Sequence, residues 1–250
     1  MKYNICIPIP VKSTSIKELK PIVEKTLKSK PNLIELRFDY ISDVNAITAD
    51  FLRNLLNIIR PHAPVIFTFR DLSEGGHVKL GKKQHFKILK MFIEVRPNYV
   101  DIEMNTNIEI LDEIFKLSSQ NEVNLILSHH NFERTVSLNE AISHIQNFNK
   151  RLRYNSSFDI ALPKGSIYKI IFSAQTFEDN LIPLRLCKEF SNSNQRIISF
   201  CMGTLGIFSR ITCVMTGSFL TYAFLEEKTA PGQINIEKMR EFYEIILKKK

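Results

Sequence analysis

Long apolar runs are missing from this chain. Its hydrophobic stretches are short, such as Ile170-Ile171-Phe172 and Cys213-Val214-Met215. None approaches the roughly 20 residues that a membrane-spanning helix needs. Cysteine is sparse as well. Cys6, Cys187, Cys201 and Cys213 form no C-x-x-C pair and join no histidine at zinc-site spacing. No metal centre is therefore expected, and the four thiols read as reduced core residues. No G-x-G-x-x-G follows the first apolar segment, which argues against a dinucleotide-binding sheet. Gly/Ser linkers, low-complexity tracts and fixed-period repeats are also absent, so nothing marks a domain boundary.

What is present suits a folded soluble protein. Hydrophobic residues make up 44% and charged residues 24%, enough apolar content for one large core. The net charge is +8, part of it from the terminal Lys248-Lys249-Lys250, which reads as a solvated tail. The remaining lysines and arginines are scattered, and no nucleic-acid motif accompanies them. An anionic small substrate fits this pattern better than a nucleic-acid partner, whose binding would depend strongly on salt. The first residues enter an apolar stretch that is too short for a signal peptide and is interrupted by Pro8. It reads as a first buried strand, and a cytoplasmic location is the expectation.

Short apolar runs alternate with longer amphipathic ones. The short runs cover residues 3–9, 33–38, 64–69, 99–102, 123–127, 167–172, 196–200 and 218–224. Their weak alternation is that of strands buried on both faces. Between them, Phe51, Leu52, Leu55, Ile58 and Ile59 recur at helical spacing, as do Ile110, Leu111, Ile114 and Phe115, and then Met239, Phe242, Tyr243 and Ile246. Eight strands alternating with helices over 250 residues predict a single-domain α/β fold, a (β/α)8 TIM barrel spanning the whole chain. An open doubly wound sheet is the alternative. The widest gap between strands contains residues 151–165, which read as a long loop or inserted turn.

The active site of such a barrel lies at the C-terminal ends of its strands. The second run places Glu35, Arg37 and Asp39 on one face, where charge is costly unless paired or functional. Arg70 follows the third run, and Gly75-Gly76 lies just beyond it. Asp101 and Glu103 share a face of the fourth, and His129-His130 ends the fifth. Histidine titrates near neutrality and suits a general base. Lys169 sits inside the sixth run among apolar residues. Burial, and arginines sharing the site, would disfavour its ammonium and leave an amine that attacks ketones. Lys164 is the competing lysine, but it lies beside turn residues. Late in the chain, Arg210 and Gln233 suit a carboxylate, the first as a fork and the second through its amide N–H.

Taken in order, these segments resemble type I 3-dehydroquinate dehydratase across nearly the whole chain. The resemblance rests on Glu35-Leu36-Arg37-Phe38-Asp39, on Phe69-Arg70 with Glu74-Gly75-Gly76, and on Asp101-Ile102-Glu103. It continues through Ser128-His129-His130-Asn131-Phe132, Lys169 with Gln175-Thr176, Ser209-Arg210 and Ala230-Pro231-Gly232-Gln233. It implies that Lys169 forms a Schiff base with the ketone of 3-dehydroquinate. His130 then moves the proton in a syn elimination of water to 3-dehydroshikimate, with Glu103 orienting it. Glu35, Arg37, Arg70, Arg210, Thr229 and Gln233 would bind substrate. No metal or organic cofactor is implied, nor any nucleic-acid or membrane partner, and a homodimer is the family's expectation. The resemblance selects His130 over His129 and Lys169 over Lys164. Departures are Asn131 where the family usually has Asp, Thr229 where it often has Ser, Ser166 where it usually has Asp, and the segment 158–165. The nearest rival is another lysine Schiff-base barrel enzyme such as a class I aldolase, usually a binder of phosphate at its last loops. A catalytically dead, ligand-binding relative is the rival of another class, opposed by the retention of Lys169, His130 and Glu103.

Overall fold

A parallel sheet curls into a barrel in the computed structural model, which describes residues 3–154 and 162–247. Its strands are β1 (Ile5–Pro10), β2 (Leu33–Arg37), β3 (Val65–Thr68), β4 (Tyr99–Glu103), β5 (Asn124–His130), β6 (Ile167–Ser173), β7 (Ile197–Met202) and β8 (Thr221–Phe224). Neighbours from β1 to β7 pair in chain order, and β1 also pairs with β8. Between β7 and β8 the ring closes through one parallel bridge, Ile197 to Ser218, and the Phe219 N–H donates to the Ile197 carbonyl at 2.7 Å. The expected barrel is therefore present. Its strands are buried along almost their whole length, which is why they read as apolar runs rather than as alternation.

Two prolines in β1 are tolerated for a register reason. The Ile5 carbonyl bonds toward β2 and that of Asn4 toward β8, so even-numbered residues face β8. Pro8 and Pro10 turn their missing N–H that way, beyond Cys6, the last residue paired with β8.

Helices pack outside the barrel. In α2 (Ala49–Ile59) the side chains of Phe51, Leu52, Leu55, Leu56 and Ile59 are buried, and the Thr48 hydroxyl caps the first turn by accepting the Phe51 N–H at 3.2 Å. Helix α5 (Leu138–Tyr154) includes residues 151–154, where a loop was expected. The charged run Lys150-Arg151 hides a continuing helical face, since Phe148 and Leu152 are buried. The rest of the expected loop, through residue 161 and including Phe158 and Asp159, lies outside the described residues, as does the Lys248–Lys250 tail. One further strand, β9 (Ile234–Asn235), was not anticipated. It pairs with the end of β8 through Ala223 and Ile234, and this brings Gln233 back to the barrel mouth. All four cysteines are buried and unpaired. No helix among the described residues is long and apolar enough to cross a membrane.

Candidate active site

Parallel strands all end at the same mouth, so their last inward residues converge there. Five buried acidic and four buried basic side chains gather at this mouth, from the strand ends and from the turns and helix that follow them. The pairing is specific. Arg37 forms a two-pronged bond to Asp39, at 2.8 Å for each nitrogen. Arg70, from the end of β3, donates at 2.7 Å to each of Glu103, Ser128 and Asp101. Ser128 in turn donates to Asp101 at 2.6 Å. Burial alone would raise the Asp101 carboxyl, but the charges of Arg70 and Lys169 hold it well below the usual carboxylate range.

Lys169 projects from β6 into this layer and is only 4% exposed. Its Nζ lies 2.9 Å from Asp101, 3.2 Å from the Tyr222 hydroxyl and 3.8 Å from Glu35. Arginines were expected to press on this lysine. Instead Asp101 stands between Lys169 and Arg70, and Arg37 is taken by Asp39. Lys164 lies before β6, at the opposite end of the barrel, and is exposed. Of these two lysines, it is Lys169 that faces the cavity at the mouth.

His130 closes β5 and presents its ring to the same cavity. Its Nδ1 lies 2.9 Å from Glu74 Oε2, and its backbone N–H donates to that oxygen at 3.1 Å. Burial would raise the Glu74 carboxyl, but contact with His129 and His130 and the Arg70 charge hold it at about 2. Glu74 is therefore an ionised acceptor, the proton sits on Nδ1, and Nε2 is left with its lone pair free. Burial, and next the Arg70 charge, push the His130 imidazole down to about 3, against the Glu74 hydrogen bond. The neighbouring His129 takes the opposite side of the strand and stacks on His144 at 4.0 Å.

Glu103 was expected to orient His130, but the carboxylate in contact with His130 is Glu74. Glu103 binds Arg70 and accepts the Asp71 N–H at 3.1 Å. Burial pushes its carboxyl up to about 7, with Arg70 opposing the shift. Glu74 reaches His130 because the chain turns back at Gly75, whose φ of +85° suits glycine and whose missing Cβ leaves room for the Phe132 ring. Arg70 was expected to bind ligand. It lines the cavity, yet both terminal nitrogens are held by the protein.

The titration of His130 carries a prediction about pH. A base acts when neutral, and this one is neutral down to about 3. The His130 ring C2–H resonance should therefore stay fixed from pH 7 to pH 5 in an NMR titration. A midpoint near the ordinary imidazole value would contradict the assignment.

On the far side of the mouth stands Arg210, from α7 (Ile207–Thr212), 1% exposed. It donates to the Pro231 carbonyl at 2.9 Å and stacks over Phe200, but its Nε has no partner. It makes no ion pair among the described residues, and burial pushes it down to about 10. Gln233 and Thr229 clasp each other across the same loop, at 2.8 and 3.1 Å. Gly232, at φ +75°, lets that loop lie against the Gly203 carbonyl. Arg210 is thus a buried cation without a counter-ion among the described residues.

The cavity lined by Glu35, Lys169, His130, Arg210, Gln233 and Tyr222 measures about 630 Å³, including space open to solvent. That suits a small organic ligand. Two departures from the family pattern, Asn131 and Ser166, do not line the cavity. Asn131 Oδ1 accepts two N–H groups of the following turn, at 2.9 and 3.0 Å, a job that Asp does equally well. Ser166 donates to the Pro163 carbonyl at the other end of the barrel. Glu74, Asp101 and Tyr222 are the site members to which the residue pattern assigned no role. Among the described residues no cluster of His, Cys, Asp and Glu is arranged to hold a metal.

A family model described as type I 3-dehydroquinase matches residues 5–250. The 3-dehydroquinate dehydratase of Pyrococcus abyssi is 31% identical over 229 residues, 91% of this chain and 94% of the relative. That of Thermococcus onnurineus is 30% identical over 231 residues, 92% of this chain and 94% of the relative. The crystal structure of type I 3-dehydroquinate dehydratase from Clostridium difficile with covalently modified comenic acid matches with a TM-score of 0.80 at 24% identity, over 98% of this chain and 92% of that one.

Proposed function

Because the chain belongs to the type I 3-dehydroquinase family, we propose that it dehydrates 3-dehydroquinate to 3-dehydroshikimate through an imine on Lys169. One observation carries this reading. A buried lysine, a histidine held neutral and a buried arginine without a counter-ion all face one small cavity.

The chemistry follows from that arrangement. Arg210, with Gln233 and Thr229, takes the substrate carboxylate and so fixes the ring. Glu35 and Arg37 on the cavity wall take ring hydroxyls. The Lys169 amine adds to the ketone carbon, and loss of water leaves an iminium. Positive nitrogen withdraws electrons, so the adjacent C–H becomes acidic. His130 Nε2 removes that proton and the electron pair moves into the ring. The imidazolium, steadied by the Glu74 carboxylate, returns the proton to the departing hydroxyl as the C–O bond breaks. A second water hydrolyses the imine and frees Lys169. Place in the shikimate pathway and a cytoplasmic homodimer belong to the same reading.

The test is direct. The protein is incubated with 3-dehydroquinate and borohydride, digested and analysed by mass spectrometry. A reduced adduct on Lys169, together with enone absorbance in the unreduced reaction, is the expected result. Turnover without an adduct, or an adduct on Lys164, would overturn the mechanism.

A further inference from the structure

Two groups bond directly to Lys169 Nζ, and only one of them has a proton to give. Asp101 is a carboxylate held low by the charges of Arg70 and Lys169 against the effect of burial. The other group is the phenol of Tyr222. This residue stands on β8, 4% exposed, level with Cys6 of β1. Its ring meets Phe200 edge-on at 6.2 Å, and its Oη accepts from Nζ at 3.2 Å. No acceptor among the described residues takes its own hydrogen, and the residue lines the cavity. Burial, and next the Glu35 charge, push the phenol well above its ordinary value. It therefore remains a neutral O–H that accepts at one side and donates at the other.

We propose that Tyr222 is a catalytic proton shuttle between Lys169 Nζ and the substrate's ketone oxygen. This role rests on the lysine-imine reading above. When the amine form of Lys169 adds to the ketone, a C–N bond forms and the carbonyl π pair moves onto oxygen. The adduct then carries N–H₂⁺ and an alkoxide on the same carbon. Tyr222 Oη takes a proton from that nitrogen and passes its own to the alkoxide. The phenol ends unchanged and the adduct becomes a neutral carbinolamine. The same relay in reverse serves imine hydrolysis. Asp101 is held ionised, with its other oxygen taken by Arg70 and Ser128, and the Glu35 oxygen stands 3.8 Å from Nζ and already accepts the Thr68 hydroxyl, so the phenol is the partner of Nζ placed both to accept and to donate.

Tyr222→Phe tests this, because it keeps the ring and its contact with Phe200 and removes one oxygen. Imine formation is read by rapid quenching with borohydride and quantifying the Lys169 adduct. In Tyr222→Phe this rate should fall about tenfold or more, with kcat lowered and KM within about twofold of the unmodified protein. Tyr222→Leu, which also loses the ring, should slow imine formation to the same degree. Unaltered imine formation in the Phe variant would overturn the proposal. So would a lowered kcat with unaltered imine formation, since the hydroxyl would then act at another step. If the unmodified protein forms no adduct on Lys169, the lysine-imine reading itself fails and the shuttle fails with it.

Discussion

His130→Ala should lower kcat by about 10⁴-fold while leaving Lys169 able to capture the ketone. The two steps use different atoms. Capture needs the amine of Lys169 and its partners Asp101 and Tyr222, none of which bonds to His130. Elimination needs a base that is neutral at working pH and can give the proton back. Glu74 cannot substitute, because it lies behind the imidazole position, on its Nδ1 side. The variant should therefore accumulate an imine that borohydride traps, with no matching appearance of product. Steady-state turnover by enone absorbance and adduct yield by mass spectrometry give the two readings. Near-normal turnover would remove His130 from the mechanism.

Arg70→Met should have the largest effect on stability. The guanidinium is 3% exposed and serves Asp101, Glu103 and Ser128 directly, with Glu74 at 3.9 Å. Removing it leaves buried carboxylates without their cation, a change that costs about 3–5 kcal/mol. The pH dependence follows from sign. Without Arg70, the Glu103 carboxyl, already pushed up by burial, rises further above its unfolded value, so stability is lost as pH increases through that range. Glu103 already stands at about 7 with the arginine present. Urea unfolding at pH 8 should show the full loss, and at pH 5.5 a clearly smaller one. A loss under about 1 kcal/mol at pH 8 would show that the network relaxes without the arginine.

The barrel and most of its mouth were legible in the residues alone, for reasons that are local. Burial on both faces makes each strand an unbroken apolar run, so a charge inside such a run stands out, as Lys169 and Glu35 do. Alternation within β2 placed Glu35 and Arg37 together. What escaped depended on contacts distant in sequence. Glu74 and His130 are 56 residues apart. Their meeting depends on the left-handed turn at Gly75, and Glu103 had been given that role by the family resemblance alone. Tyr222 looked like any strand aromatic, since nothing near it in sequence reveals a lysine across the barrel. Which arginines are already neutralised was equally hidden. Arg70 follows β3 and Arg210 sits in α7, yet one is surrounded by carboxylates and the other has none among the described residues.

That last difference reaches beyond catalysis. A buried guanidinium without a counter-ion opposes folding in every unliganded molecule, and the opposition ends only when an anion arrives. Part of the site's affinity is therefore held as diminished stability of the empty protein. Occupancy and resistance to unfolding become linked quantities. An anion bound at Arg210 would therefore raise resistance to proteolysis as well as fill the site.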